Sequence, residues 1–175
     1  MYYIKIEIKW GNIVCRIEED GAISGLWFEG QKYYPEIPED AIWLSYTSKV
    51  NDTIDASVGR LISQIKSYEK GELKEFDLVL TFKGTNFQTR VWDILLKIPC
   101  GKTSTYGDIG KEIAKQLGKK SMSAQAVGGA VGHNPISIIV PCHRVLGAKG
   151  QLTGYAGGID KKIGLLKHEG VEVDV

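Results

Sequence analysis

Residues 2–28 read YYIKIEIKWGNIVCRIEEDGAISGLWF, and this stretch decides the class of the N-terminal half. Tyr2, Ile4, Ile6 and Ile8 alternate with Tyr3, Lys5, Glu7 and Lys9, the period of two that puts apolar side chains on one face of a strand. Short apolar runs over residues 12–17 and 22–28 follow. Trp10-Gly11-Asn12 and Glu19-Asp20-Gly21 separate them as turns, so an antiparallel meander is the simplest arrangement. Working outward, residues 31–52 carry Pro35, Pro38 and many polar side chains and read as a loop. Val58, Leu61, Ile62, Ile65 and Tyr68 then recur at helical spacing, and Lys70-Gly71 closes that helix. Phe76, Leu78, Leu80 and Phe82 alternate as one more strand, and Lys83-Gly84 marks a boundary.

Beyond the boundary the periodicity changes to that of short helices. Thr85-x-x-Gln88 is a capping box ahead of Phe87, Val91, Ile94, Leu95 and Ile98, and Pro99 stops the helix. A second helix opens at Thr105 or Tyr106 and runs through Ile109, Ile113, Ala114 and Leu117 to Gly118. Ser123 caps a third, from Ala124 to Val131. Two helices joined by residues 119–122 match a helix-turn-helix. Residues 136–140, Ile-Ser-Ile-Ile-Val, read as a buried strand. A Gly-rich loop and a last helix from Asp160 complete the chain. The fold class is therefore α+β. Residues 1–83 form a small antiparallel sheet domain with a helix, and residues 84–175 form a mainly helical domain carrying the helix-turn-helix.

Composition narrows the function classes. Of 175 residues, 43% are hydrophobic and 25% charged, which excludes a wholly disordered chain. No stretch approaches the ~20 consecutive apolar residues of a membrane span, and the alternating start is unlike a signal peptide, so a cytoplasmic location is expected. Cys15, Cys100 and Cys142 are odd in number and lack a CxxC pairing, which argues against a disulfide framework and excludes a four-cysteine zinc site within this chain. Residues 1–85 hold 10 Lys and Arg against 14 Asp and Glu, while residues 86–175 hold 12 against 7. That asymmetry fits a polyanion partner on the C-terminal side, or a chance fluctuation of a few charges.

The sharpest chemical feature is Pro141-Cys142-His143-Arg144-Val145. A thiol is a useful nucleophile as the thiolate, which needs positive charge, a histidine base or a helix N-terminus beside it. Neighbouring residues on a strand point to opposite faces, so adjacency alone does not make His143 the base.

Asn134-Pro135-Ile136-Ser137-Ile138-Ile139-Val140-Pro141-Cys142-His143-Arg144-Val145 resembles the active-site signature of the O6-alkylguanine-DNA alkyltransferases, also called methylated-DNA–protein-cysteine methyltransferases. Ordered matches extend across most of residues 84–170. They include Gly84-Thr85-x-Phe87-Gln88 with Val91-Trp92, residues 98–103, Thr105-Tyr106-Gly107, residues 126–130, residues 153–158 and residues 165–170. The resemblance implies a single-turnover transferase for DNA repair, in which Cys142 takes an alkyl group from guanine O6, or thymine O4, in double-stranded DNA. His143 would act on the thiol through a water, oriented by Glu169. Asn134 would tie the helix-turn-helix to the active segment, although a helix-ending turn before Pro135 explains it equally well. Tyr106 would donate a proton toward the departing guanine, or else is a core aromatic.

On the DNA side the resemblance implicates Ser123, Gln125, Ala126, Gly128, Gly129 and Arg144. The third helix is almost free of bulk, which suits either tight helix packing or a minor-groove approach with little sequence discrimination. Gln125 stands where the family usually has an arginine finger. Tyr155, Ala156, Gly157 and Val145 match the pocket for an extruded base, the alternative for the first three being an ordinary mobile loop. No cofactor is expected. The histidines, His133, His143 and His168, are all C-terminal, so an N-terminal zinc site lacks ligands. A monomer without membrane association is expected. The competing readings are a lesion-recognising or regulatory helix-turn-helix protein without repair turnover, and a Cys-His hydrolase.

Overall fold

Strand β1 (Tyr2–Ile8) buries Ile4, Ile6 and Ile8 and exposes Lys5 and Glu7, as its alternation dictates. It pairs antiparallel with β2 (Gly11–Ile17), and β2 pairs antiparallel with β3 (Ile23–Phe28). This computed structural model describes residues 1–174. They divide into one unit of residues 1–82 with 135–137 and another of residues 83–134 with 138–174. Each was built by its own pattern.

In the first unit a fourth strand, β4 (Ile42–Leu44), lies parallel to β1, so the sheet order is β3-β2-β1-β4. Residues 31–52 are thus not wholly a loop, and the sheet is not wholly antiparallel. Three residues at an exposed edge are too short for alternation to reveal them. Every residue of β3 is buried, and its outer edge is also occupied. Ile23 N–H donates to Val79 O at 2.8 Å and Leu26 N–H to Pro135 O at 2.8 Å. The strand expected over residues 76–82 is reduced to one bridge, Leu80 with Ile23. Nearby, both backbone groups of Asp77 are bonded to the Gln64 side chain at 2.8 Å, which removes them from any ladder. Gln64 belongs to α1 (Asp52–Glu69), capped by Asn51, which buries the stripe Ile54, Leu61, Ile65 and Tyr68.

The second unit holds α2 (Asn86–Leu95), β5 (Ser104–Thr105), α3 (Tyr106–Gln116), α4 (Ala124–Gly132), β6 (Val145–Leu146) and α5 (Ile159–His168). Thr85 and Gln88 form the reciprocal capping box at the start of α2. Thr105 and Ser123 cap α3 and α4 by accepting from Asp108 N and Ala126 N. Strands β5 and β6 pair in parallel. Trp92 of α2 is buried and its Nε1 donates to Ala130 O of α4 at 2.8 Å. A Cβ on Gly84 would lie 2.5 Å from the Trp92 ring, so only glycine fits there.

The buried strand expected over residues 136–140 is not formed. Ile136 makes one bridge to Leu26, and Ile138 then takes φ +70°, a left-handed conformation that a β-branched residue rarely adopts. That residue turns the chain and leaves Ile138, Ile139 and Val140 buried without a ladder. The run is as apolar as a buried strand for the same reason, burial, but not with the same geometry.

Trp92→Phe removes the donor that joins α2 to α4 and is expected to cost about 1–3 kcal/mol in urea unfolding. An unchanged midpoint would show that the bond does not hold the two helices.

Candidate active site

Residues Cys142–Arg144 form one 3-10 turn, not the end of a strand. The turn decides where three consecutive side chains go. Cys142 is 6% exposed. Asn134, just past α4, reaches across the turn, and its Nδ2 donates to Val140 O at 2.8 Å and to Cys142 Sγ at 3.1 Å. Burial pushes the Cys142 thiol up. The Asn134 hydrogen bond and the Lys162 cation oppose that rise without cancelling it. The resting group is therefore a thiol that needs a base.

His143 and Arg144 both turn inward and converge on Glu169, which follows the last turn of α5. His143 Nε2 lies 2.8 Å from Glu169 Oε1. A carboxylate can only accept, so Nε2 carries the proton and Nδ1 of the neutral ring is the basic nitrogen. Nδ1 is buried and has no protein hydrogen-bond partner. Arg144 completes a fork on the same carboxylate, Nε to Oε2 at 2.8 Å and Nη2 to Oε1 at 2.9 Å, while Nη1 donates to Ile98 O at 2.5 Å. Burial alone would raise the Glu169 carboxyl. The bonds from His143 and Arg144 outweigh it and hold the group far below the usual carboxylate range. Burial also lowers His143, with the Glu169 bond opposing, so the ring stays neutral near pH 7.

Tyr106 begins α3 half-buried. Burial raises its phenol, against a hydrogen bond with Thr153, so the hydroxyl keeps its proton at neutral pH. Lys162 of α5 is fully buried. Its Nζ donates to Val145 O at 2.6 Å, Thr153 O at 2.9 Å and Gly154 O at 3.4 Å. Burial lowers it to about 8, and the Cys142 charge opposes that shift. A basic side chain thus ties the Gly-rich loop to β6 beside the thiol. Sequence reading passed over Lys162. The available signal was its place on the buried stripe Lys162, Leu165, Leu166 of α5.

Comparison with known proteins decides the family. Residues 86–171 match the family model described as 6-O-methylguanine DNA methyltransferase, DNA binding domain. A methylated-DNA–protein-cysteine methyltransferase of Methanosarcina acetivorans is 44% identical over 170 residues, 97% of this chain and 99% of that protein. The chain belongs to the methylated-DNA–protein-cysteine methyltransferase family. The protein of that name from Mycobacterium tuberculosis is 56% identical over 108 residues, and the match spans 62% of this chain and 62% of that relative's length. The crystal structure of Mycobacterium tuberculosis OGT in complex with DNA aligns with a TM-score of 0.77 at 38% identity, covering 97% of this chain and 92% of that one.

Within this methyltransferase family member, Asn134 is hydrogen-bonded to Cys142 and Glu169 to His143, two pairs joined by the turn that holds Cys142 and His143. Arg144, expected on the DNA side, is a correction. It is 6% exposed, and its guanidinium is spent on Glu169 and Ile98 O, so it cannot meet a phosphate. Val145, expected in the pocket, has a fully buried side chain and gives its carbonyl to Lys162. Tyr155, Ala156 and Gly157 are half-buried in the loop ahead of α5. Ser123, Gln125, Ala126 and Gly129 are exposed on α4, and Gly128 is half-buried. A Cβ built on Gly128 or Gly129 would meet nothing within 4 Å, so tight helix packing does not explain these glycines.

Glu169→Gln leaves the buried Arg144 without its carboxylate and is expected to cost about 3–5 kcal/mol at pH 7. The Glu169 contribution is complete above its unfolded pKa of about 4.3 and is lost as pH falls toward the depressed folded value. The stability gap between parent and variant should therefore narrow in urea titrations below that pH. A gap independent of pH would contradict the ionised carboxylate.

Proposed function

We propose that this chain is a single-turnover DNA-repair transferase that moves a methyl or other alkyl group from guanine O6 in duplex DNA to Cys142. The observation that carries the reading is the buried His143 Nδ1, left as the basic nitrogen by the Nε2–Glu169 bond, in the turn that holds the Cys142 thiol. A water between Nδ1 and Sγ would pass the thiol proton to the ring, and Glu169 would stabilise the resulting imidazolium. The Asn134 amide on Sγ strengthens as negative charge grows on sulfur. The thiolate then attacks the alkyl carbon, the S–C bond forms, and the C–O6 bond breaks with its electron pair going to guanine. The Tyr106 hydroxyl is supported as the proton donor to that base because burial keeps it protonated. The product is a thioether, a poor leaving group, so the protein is used once.

A base stacked in a duplex hides O6 from a buried sulfur, so the nucleotide has to be extruded. The bare face of α4 supports a minor-groove approach, with Ala126, Gly128 and Gly129 letting the helix backbone come close. The Gly-rich loop at Tyr155–Gly157 would then close over the turned-out base. In this reading the repair takes place in the cytoplasm and is carried out by a monomer. Among the described residues no helix is long and apolar enough to cross a membrane.

Incubation with an O6-methylguanine duplex should add one methyl group per molecule, located on Cys142 by peptide mass spectrometry. Cys142→Ala should abolish transfer and keep DNA binding. Multiple turnovers would overturn the single-use mechanism, and DNA binding with Cys142 unmodified would replace this reading with the regulatory one.

Gln125 is exposed on α4 but shorter than arginine and neutral. Offsetting an unpairing cost of about a few kcal/mol is easier for a long cationic side chain. Gln125→Arg is therefore expected to speed transfer on duplex substrate more than on single strands. Equal rates for Gln125→Arg, Gln125→Ala and the parent would remove Gln125 from the interface.

A further inference from the structure

Helix α4, which lays its bare face on DNA in the reading above, contains no charged residue at all between Ala124 and Gly132. Arg144 is withdrawn into its pair with Glu169. Yet affinity for a duplex comes largely from cations that neutralise phosphates. The charge has to come from a neighbouring element.

Beside the start of α4 lies a cleft of about 430 Å³, formed by one side of α3 and the connection that follows it. Tyr106 and Gly107 line it together with Lys111, Lys115, Lys119 and Lys120. Gly118, at φ +63°, ends α3 and swings the chain so that the adjacent Lys119 and Lys120 join the lysines of the helix. Lys111 faces Asp108, Nζ to Oδ1 at 3.3 Å, and Asp108 also receives Thr105 Oγ1 at 2.9 Å. Glu112, the other acid of α3, accepts from Gln116 at 3.1 Å. Among the described residues, Lys115, Lys119 and Lys120 have no acidic partner. Three exposed, uncompensated ammonium groups thus share one concave surface that reaches Tyr106 on one element and Ala124 on another.

We propose that this cleft is a phosphate track that takes the sugar–phosphate backbone of one DNA strand, with Lys115, Lys119 and Lys120 each neutralising a phosphate. The proposal rests on the DNA-repair reading and assigns its electrostatic contacts. Cations set beside the uncharged helix bring the duplex in without committing α4 to any base sequence. The cleft includes Tyr106, so a backbone lying in it passes next to the residue assigned to the departing base.

The test is the salt dependence of binding to an unmodified duplex. Slopes of log K against log salt concentration are compared for the parent, the triple variant Lys115→Gln/Lys119→Gln/Lys120→Gln, and the triple variant with arginine at the same three positions. Each phosphate contact contributes about 0.9 to the slope, so the glutamine triple should lose about 2 to 3 units and the arginine triple should keep the parent slope. Unfolding midpoints are measured on all three to show that the fold is intact. A glutamine triple that retains the parent slope, while the parent transfers alkyl groups from DNA, overturns the cleft and leaves the repair reading standing. An arginine triple that loses the slope as the glutamine triple does overturns the assignment to charge. A parent that neither binds duplex nor transfers overturns both.

Discussion

One carboxylate organises the second unit. Glu169 receives His143 on one oxygen and the two-pronged guanidinium of Arg144 on both. Burial alone would favour the neutral acid; the bonds from His143 and Arg144 oppose it, and the guanidinium is the permanent charge among them. With it, the carboxylate stays charged, the His143 ring keeps its proton on Nε2, and the basic lone pair is left on Nδ1. Arg144 therefore acts on His143 through the carboxylate they share. Its third contact, to Ile98 O, also joins the turn to the segment after α2. Removing either partner strands a buried charge, whereas a surface pair of the same length would contribute little.

The same unit divides its labour by polarity. The turn at Cys142 concentrates buried charge and hydrogen bonds in a small volume, and α4 offers an outer face with neither charge nor bulk. A glycine pair in a helix interior costs about 1 kcal/mol per residue relative to alanine, and neither glycine is compensated by a neighbour packed against it. Trp92 supplies stabilisation from the opposite side of the helix, through its bond to Ala130 O and its burial. An approachable surface is thus held up from behind.

Much of this was legible in the residues. The alternation of β1, the capping box of α2 and the Thr105 and Ser123 caps are local signals, and local signals placed those elements. The ordered motifs around Asn134-Pro135 and Pro141-Cys142-His143-Arg144 single out Cys142, His143 and the distant Glu169, and the last two are hydrogen-bonded. What failed was non-local. The run over residues 136–140 looked like a strand because burial makes any segment apolar, and only the φ of Ile138 tells a turn from a ladder. Residues 76–82 alternated, but a Gln64 side chain took the backbone bonds at Asp77. The resemblance puts Arg144 on the DNA side, whereas the fold pairs its guanidinium with the buried Glu169 carboxylate. Lys162 escaped because its acceptors are backbone carbonyls that no side-chain pattern announces.

Helix α5 sets a length as well as a surface. Lys162 lies on α5 and Glu169 caps its C-terminal end, seven residues on, or about two turns at 3.6 residues per turn. One holds the loop and β6, and the other holds the turn with the thiol. An insertion or deletion of a single residue between them would swing one anchor by about 100° and slide it by about 1.5 Å, breaking one set of bonds while keeping the other. Drift in chain length is therefore barred from residues 163–168. The loop before α5, which Lys162 holds at Thr153 and Gly154, is where the chain can grow or shrink.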